Sequence, residues 1–208
     1  MGTLVSLGGS RAHNLSDNLE LFGLNGGTNT YASVYKVFGD IVVKLYPELV
    51  PSYPDINDIL DLTYLSNVKA KSGSNIQSSD KMTYKATTIT NTVAKRGWSI
   101  EFESGSSNFT PQALSVLDDL YNQLIVAGGL SIEIIGHTDN TGTVQGNDIL
   151  SEQRAKAVKT WLQTKSSRDF PDSRFVKVEG KGQHEPVADN NTAHGKAKNR
   201  RVEIVMGK

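Results

Sequence analysis

The C-terminal half of the chain alternates between two hydrophobic periods, and this alternation restricts the fold more than any other feature of the sequence. Residues 98–102 carry apolar side chains at every second position, which predicts a strand. Apolar residues at helical spacing follow in 110–125, between a Thr-Pro pair suited to a helix start and a Gly-Gly pair suited to its end. The same alternation predicts a strand at 130–135, a helix at 148–165, and strands at 175–178 and 201–206. The order β-α-β-α-β-β favours an α+β fold, an α/β sandwich with helices packed on a mixed sheet.

The 208 residues allow one large domain or two small ones. The N-terminal part differs from the C-terminal half in composition and in hydrophobic pattern. Residues 1–70 form an α-leaning segment, with one helix predicted after Asn29 and a second, short helix at 55–68. Residues 71–96 are rich in Ser, Thr, Lys and Asn, which indicates a linker or an edge strand at 82–90. We therefore predict that residues 97–208 form the main domain.

Composition excludes several classes of protein. Lys plus Arg and Asp plus Glu are both 22, so no global positive charge would draw the chain to nucleic acid, although residues 174–208 have eight basic and four acidic residues. The absence of cysteine excludes disulfides and thiolate chemistry. The first ten residues lack the pattern of a signal peptide, and we expect a trimmed chain whose membrane attachment, if it has one, resides in parts not included.

Two charged residues stand out between the second predicted strand and the following helix. Asp139 comes just after the strand, where ligands of open sheets tend to bind. Arg154 lies four residues from both Leu150 and Val158, so it is expected on the inward face of the helix and close to the helix N-terminus. Two interpretations remain open. The residues could form an Asp139–Arg154 ion pair without any ligand, or they could receive a zwitterion, with Arg154 binding a carboxylate and Asp139 an ammonium group.

Four separated motifs follow one another in the C-terminal half: GHTDNTG, LSEQRA, GKGQHEPVADNNT and KNRRVEI. Together they resemble the OmpA-like C-terminal peptidoglycan-binding domain, the type also found in MotB and Pal, and the resemblance runs from about Trp98 to Met206. It implies that the ligand is the diaminopimelate of the peptidoglycan stem peptide, with its ammonium at Asp139 and its carboxylate at Arg154. It further implies a pocket lined by Asn147 and Arg200, with a rim formed by Thr138 and the backbone at Gly105.

Two neighbouring residues have other expected roles, and the N-terminal part has a resemblance of its own. Asn199 is expected to brace its loop, and Arg201 is expected to be a solvated charge on the opposite side of the strand from Arg200. Residues 1–70 resemble the end of a periplasmic solute-binding domain fused upstream of an OmpA-like domain, which implies a remnant without a complete cleft. This segment could contact an envelope protein partner.

An enzyme is the main alternative, since His137 and Asp139 could be assembled into a hydrolase or metal site. The chain lacks a G-x-S-x-G elbow, an H-E-x-x-H motif and a Walker loop. We therefore predict no catalytic residues, no metal site and no cofactor. The predicted partner is peptidoglycan rather than nucleic acid, and the predicted location is the periplasm, in association with the cell wall or the outer membrane.

Overall fold

The computed structural model describes residues 15–72, residue 84 and residues 87–208. The N-terminal part contains four helices: α1 (Leu15–Leu21), α2 (Thr30–Leu45), α3 (Ile56–Ile59) and α4 (Thr63–Ser72). The C-terminal part contains β1 (Thr92–Trp98), α5 (Ala113–Val126), β2 (Ser131–Gly136), α6 (Val144–Lys165), β3 (Phe175–Gly180), α7 (Ala193–Asn199) and β4 (Val202–Gly207), with a 3₁₀ turn at Asp172–Arg174. No helix within the described ranges is long and apolar enough to cross a membrane.

The four strands form one mixed sheet, which confirms the predicted fold class. The strand order is β1-β4-β2-β3; β2 and β3 are parallel, whereas β4 is antiparallel to both of its neighbours. The parallel pair requires a crossover connection, which α6 supplies. Fully buried aliphatic residues of the sheet and of helices α5 and α6 form the core, among them Leu117, Leu124, Ile134, Val158 and Ile204.

Two glycines let α6 approach the sheet at the end where β2 and β3 finish. A Cβ atom on Gly136 would lie 2.1 Å from the carbonyl oxygen of Ser151. One on Gly180 would lie 2.3 Å from the backbone nitrogen of Glu152. Because only glycine fits such contacts, these residues fix the middle of α6 directly over the strand ends. Arg154 is thereby placed beside the loop that follows β2.

Several predicted boundaries are wrong. The strand predicted at 98–102 ends at Trp98, and Phe102 instead forms an isolated bridge with Phe109. The edge strand predicted at 82–90 lies partly outside the described residues, and its part from 87 onward is not strand. The sheet edge next to β4 is formed by β1, which begins at Thr92. Helix α6 begins at Val144 rather than at 148, because the Thr143 side chain accepts a hydrogen bond from the Gly146 amide and caps it there.

Other differences concern helices. The helix predicted at 55–68 is divided into α3 and α4, because Asp61 accepts a hydrogen bond from the Thr63 amide and so starts a new helix. Helix α7 lies between the strands predicted at 175–178 and 201–206, where the sequence AHGKAKN has almost no apolar periodicity to indicate a helix. In α5, Leu114 is 49% exposed, whereas Leu120 is buried.

The N-terminal helices pack against the C-terminal domain. Helix α2 lies along α5, and Lys36 pairs with Asp119 across this contact at 3.1 Å. The Thr28 amide donates to the Asp169 carboxylate at 2.9 Å. Arg168 binds the Glu20 carboxylate and also donates to the carbonyl of Asn25. Residues 20–36 are therefore held to the domain by both polar and packing contacts.

Candidate functional site

Asp139 lies in a buried turn directly after β2. Its residue is 6% exposed, and one carboxylate oxygen accepts from the Thr141 amide at 2.8 Å. The other oxygen accepts from Nη1 of Arg200 at 2.7 Å. Burial alone would raise the pKa of this carboxyl, but the hydrogen bonds from Arg200 and Thr141 outweigh burial and hold the pKa below its usual value. Asp139 is therefore a fixed negative charge at neutral pH.

Arg154 projects from the third turn of α6 and is only 7% exposed. Its Nε donates to the carbonyl oxygen of Ser106 at 3.0 Å, and its guanidinium lies 4.8 Å from the ring centre of Phe102. Among the described residues, no carboxylate forms a salt bridge with it, and its two terminal nitrogens have no hydrogen-bond partner. Burial lowers the pKa of Arg154, and the positive charge of Arg200 lowers it further, although a guanidinium remains protonated at neutral pH.

The structure corrects two expectations about this pair. Asp139 forms its ion pair with Arg200 and not with Arg154, because Arg200 reaches the carboxylate from the junction between α7 and β4. Arg154 is not near the N-terminus of its helix, because α6 begins ten residues earlier at Val144. The N-terminal amide groups of α6 therefore lie about 15 Å back along the helix axis from the backbone of Arg154. Asp139 nevertheless lies close enough to Arg154 for its charge to act on the pKa of Arg154.

Asn147 and Thr138 hold the turn that carries Asp139. The side-chain amide nitrogen of Asn147 donates to the backbone carbonyl of Asp139 at 3.2 Å and to Oε1 of Gln183 at 2.8 Å. The Thr138 amide donates to the Gly182 carbonyl, while its buried hydroxyl has no hydrogen-bond partner among the described residues. Asn147 thus links the turn after β2 to the loop after β3.

Gly105 lies at the exposed tip of the segment that contacts Arg154. Its φ of +64° is one that glycine adopts without strain, and a Cβ atom there would meet no other atom within 4 Å. The neighbouring Ser106 is the residue whose carbonyl accepts from Arg154. The structure therefore places Gly105 beside the site, while the hydrogen bond to Arg154 comes from the next residue.

Four contacts of the site were not foreseen from the sequence. Phe102 stacks against Phe109 with ring centres 5.1 Å apart and presents its face to Arg154. Gln183 orients Asn147, and Lys196 donates to the Thr141 hydroxyl at 3.2 Å. The two aromatic residues on either side of the FESGSSNF turn are the only sequence signal that could have suggested the stacking.

Asn199 and Arg201 have structural roles. The Asn199 side chain accepts from the Val187 and Ala188 amides and donates to the Ala188 carbonyl, so it braces its loop as expected. The prediction that Arg201 is solvated is wrong. It is buried, pairs with Glu203 at 2.6 Å and donates to the Glu185 carbonyl, because the loop after β3 covers this face of β4.

His137 lies apart from the charged groups that contact Asp139. Its ring is buried, its nearest carboxylate is that of Glu203 at 3.7 Å, and burial lowers its pKa. In the part of the chain that the structure describes, no three His, Asp or Glu side chains are grouped so that they could hold a metal ion. His184 lies at the exposed surface, 3.1 Å from the Asp148 carboxylate.

Comparison with known proteins points to one family. Residues 101–200 match the OmpA family. Outer membrane protein A of Bordetella avium is 39% identical over 103 residues, which cover 50% of this chain and 51% of the relative. The peptidoglycan-binding protein ArfA of Mycobacterium bovis is 36% identical over 113 residues, which cover 54% of this chain and 33% of ArfA. The chain thus spans between a third and a half of the length of these two relatives.

A solved structure gives a further match. The cell wall anchor of the T6SS from Pseudomonas aeruginosa is 32% identical, with a TM-score of 0.44. The aligned region covers 51% of this chain and 73% of that protein.

Proposed function

Because residues 101–200 form a domain of the OmpA family, we propose that this domain binds peptidoglycan non-covalently and anchors an envelope protein to the cell wall. The ligand is the diaminopimelate side chain of the stem peptide, whose free end carries an ammonium and a carboxylate group. The relative named a peptidoglycan-binding protein, at 36% identity, supports the ligand class. The choice of diaminopimelate depends on the site itself.

The observation that carries the proposal is the unused binding capacity of Arg154. A nearly buried guanidinium with one hydrogen bond to a carbonyl retains donors that water or a ligand must satisfy. Its flat fork suits a carboxylate, to which it can donate two parallel hydrogen bonds. The Phe102 ring and the Ser106 carbonyl fix the guanidinium plane before the ligand arrives. Little conformational entropy would be lost on binding.

Asp139 provides the matching negative group. Its carboxylate accepts two hydrogen bonds within the protein, and a carboxylate has about four acceptor positions. Capacity for an ammonium group therefore remains. With Arg154 and Arg200 nearby, the three side chains have a net charge of +1. Because an amino-acid head group has no net charge, the match lies in where its two charges would sit, the carboxylate at Arg154 and the ammonium at Asp139. An amino-acid head group thus fits both ends of the site.

The proposed function needs no chemical step, so the site is a receptor rather than a catalytic centre. The protein would act in the periplasm, in association with the cell wall or the outer membrane, like the outer-membrane relatives it resembles. Any attachment to the membrane would come from parts outside this chain. The N-terminal helices, which pack on α5 through α2, would carry the link to an envelope protein partner.

Replacing Asp139 with asparagine tests this proposal. The amide side chain would keep the acceptor for the Thr141 amide but lose the charge that attracts an ammonium group, so we expect about tenfold less protein to sediment with purified diaminopimelate-type sacculi. Asp118→Asn is the matched control, because it removes an exposed carboxylate on α5. Equal sedimentation of Asp139→Asn and the wild-type chain would reject Asp139 as a ligand contact.

A further inference from the structure

An apolar stripe runs along the side of α2 that faces away from α5. Tyr31, Tyr35, Phe38, Val42 and Leu45 are spaced by four, three, four and three residues, which is the spacing of a coiled-coil seam. The opposite side of the helix contacts the domain, where Ser33 is buried and Lys36 pairs with Asp119. The stripe is thus not the surface that attaches α2 to its own domain.

The stripe borders a groove from Tyr31 to Val42. This groove of about 410 Å³ lies between α2 and the turn that carries Tyr53, and its walls are almost entirely apolar. Tyr53 packs edge-on against Tyr35, and its hydroxyl donates to the Asp40 carboxylate at 2.5 Å, with the Lys36 carbonyl 3.2 Å away. These contacts fix Tyr53 as one wall of the groove. Gly39 makes this possible, since a Cβ atom there would lie 2.6 Å from the Tyr53 ring. The groove is a formed feature of the fold.

The C-terminal part of the same stripe protrudes. Leu45 is 63% exposed, and Tyr46 and Leu49, in the turn that follows, are 56% and 81% exposed. Seven apolar residues of α2 and this turn are each more than a third exposed, whereas exposed apolar residues on an ordinary monomer surface are scattered singly. They are Tyr31, Phe38, Ile41, Val42, Leu45, Tyr46 and Leu49. An apolar surface of this size favours a protein partner.

We propose that the occupant is a second copy of this chain, docked through α2 in an antiparallel two-fold arrangement. One stripe carries both a groove, lined on α2 from Tyr31 to Val42, and protruding side chains, at Leu45 to Leu49. An antiparallel pairing places the protruding residues of each copy in the groove of the other, as a two-fold interface requires. The chain has no net charge, so the two copies do not repel each other over long distances. The two-fold axis then passes near Val42.

Sedimentation velocity of the full chain tests this arrangement. We expect the wild-type chain to form a dimer with increasing concentration, and both Phe38→Glu and Leu45→Glu to remain monomeric, because each places a charge in the apolar interface. Leu114→Glu is the matched control, since it adds the same charge at an exposed leucine on α5 and should leave the dimer intact. A wild-type chain that stays monomeric, or a dimer that persists in both variants, would overturn the proposal.

A cross-link tests the position of the axis. Because the chain has no cysteine, Val42→Cys introduces a single thiol where the two copies approach most closely. We expect mild oxidation to yield a disulfide-linked dimer of this variant. Val93→Cys, which places the thiol at an even more exposed position on β1, should remain monomeric. Equal cross-linking of the two variants would contradict the antiparallel arrangement.

Discussion

Replacing Arg154 with alanine should lower the affinity for diaminopimelate-type muropeptides by about 30-fold or more. The variant would leave the ligand carboxylate without its two donors in a site where Arg154 is only 7% exposed. The Asp139–Arg200 pair, which does not involve Arg154, would remain, so the loss would report on the contact between Arg154 and the ligand carboxylate. Isothermal titration calorimetry with a purified muropeptide measures the change directly.

Two further variants separate charge from geometry. Arg154→Lys keeps the positive charge but cannot donate two parallel hydrogen bonds together with the bond to Ser106, so its affinity should lie between those of the alanine variant and the wild type. Lys156→Ala removes an exposed charge two residues further along α6, where its partner is Glu152, and should bind like the wild type. Wild-type affinity in Arg154→Ala would remove this residue from the binding site.

Replacing Arg174 with alanine should lower the free energy of unfolding by about 3 kcal/mol or more. Arg174 is 1% exposed, and its guanidinium donates to the carbonyls of Leu124, Leu130 and Asp169. It closes the C-terminal end of α5, where unpaired carbonyls and the helix dipole favour a positive charge. Alanine would leave these carbonyls buried without donors and would open a cavity beside Phe170.

Thermal and denaturant unfolding provide the measurement for Arg174. For a chain of this length, the expected loss corresponds to a melting temperature lower by about 6 to 12 °C. Arg174→Met restores most of the side-chain volume but none of the hydrogen bonds. Comparing it with Arg174→Ala therefore separates the contribution of packing to the free energy of unfolding from that of the hydrogen bonds to the carbonyls. Lys156→Ala is the control, because Lys156 is exposed and pairs with Glu152 at the surface of α6. A loss below about 1 kcal/mol in Arg174→Ala would contradict the capping role.

The long elements of the C-terminal domain could be predicted because their hydrophobic periods are regular. Helix α5 and strands β2 and β3 have apolar residues at the spacing that their burial requires. Helix α7 could not be found in this way, since it is short and polar and its start depends on the Thr192 cap. The start of α6 also depends on a cap, at Thr143, and this cap precedes the apolar stripe.

The members of the candidate site could be named from the sequence, but their pairing could not. Asp139 and Arg154 follow from position and chemistry, and Arg200 follows only from the resemblance to the family. That Arg200 rather than Arg154 contacts Asp139 depends on how the junction of α7 and β4 meets the end of β2. Strand alternation alone predicts a solvated Arg201, because it does not reveal that the loop after β3 covers that face.

The most direct test of the central claim compares two ligands that differ in a single group. The wild-type chain would be titrated by calorimetry with a diaminopimelate-containing muropeptide and with its lysine-containing counterpart, which keeps the ammonium but lacks the distal carboxylate. Since Arg154 has no carboxylate of its own among the described residues, we predict affinity for the first ligand and at least about 30-fold weaker binding of the second. Equal affinity for both ligands, or binding of neither, would contradict the account.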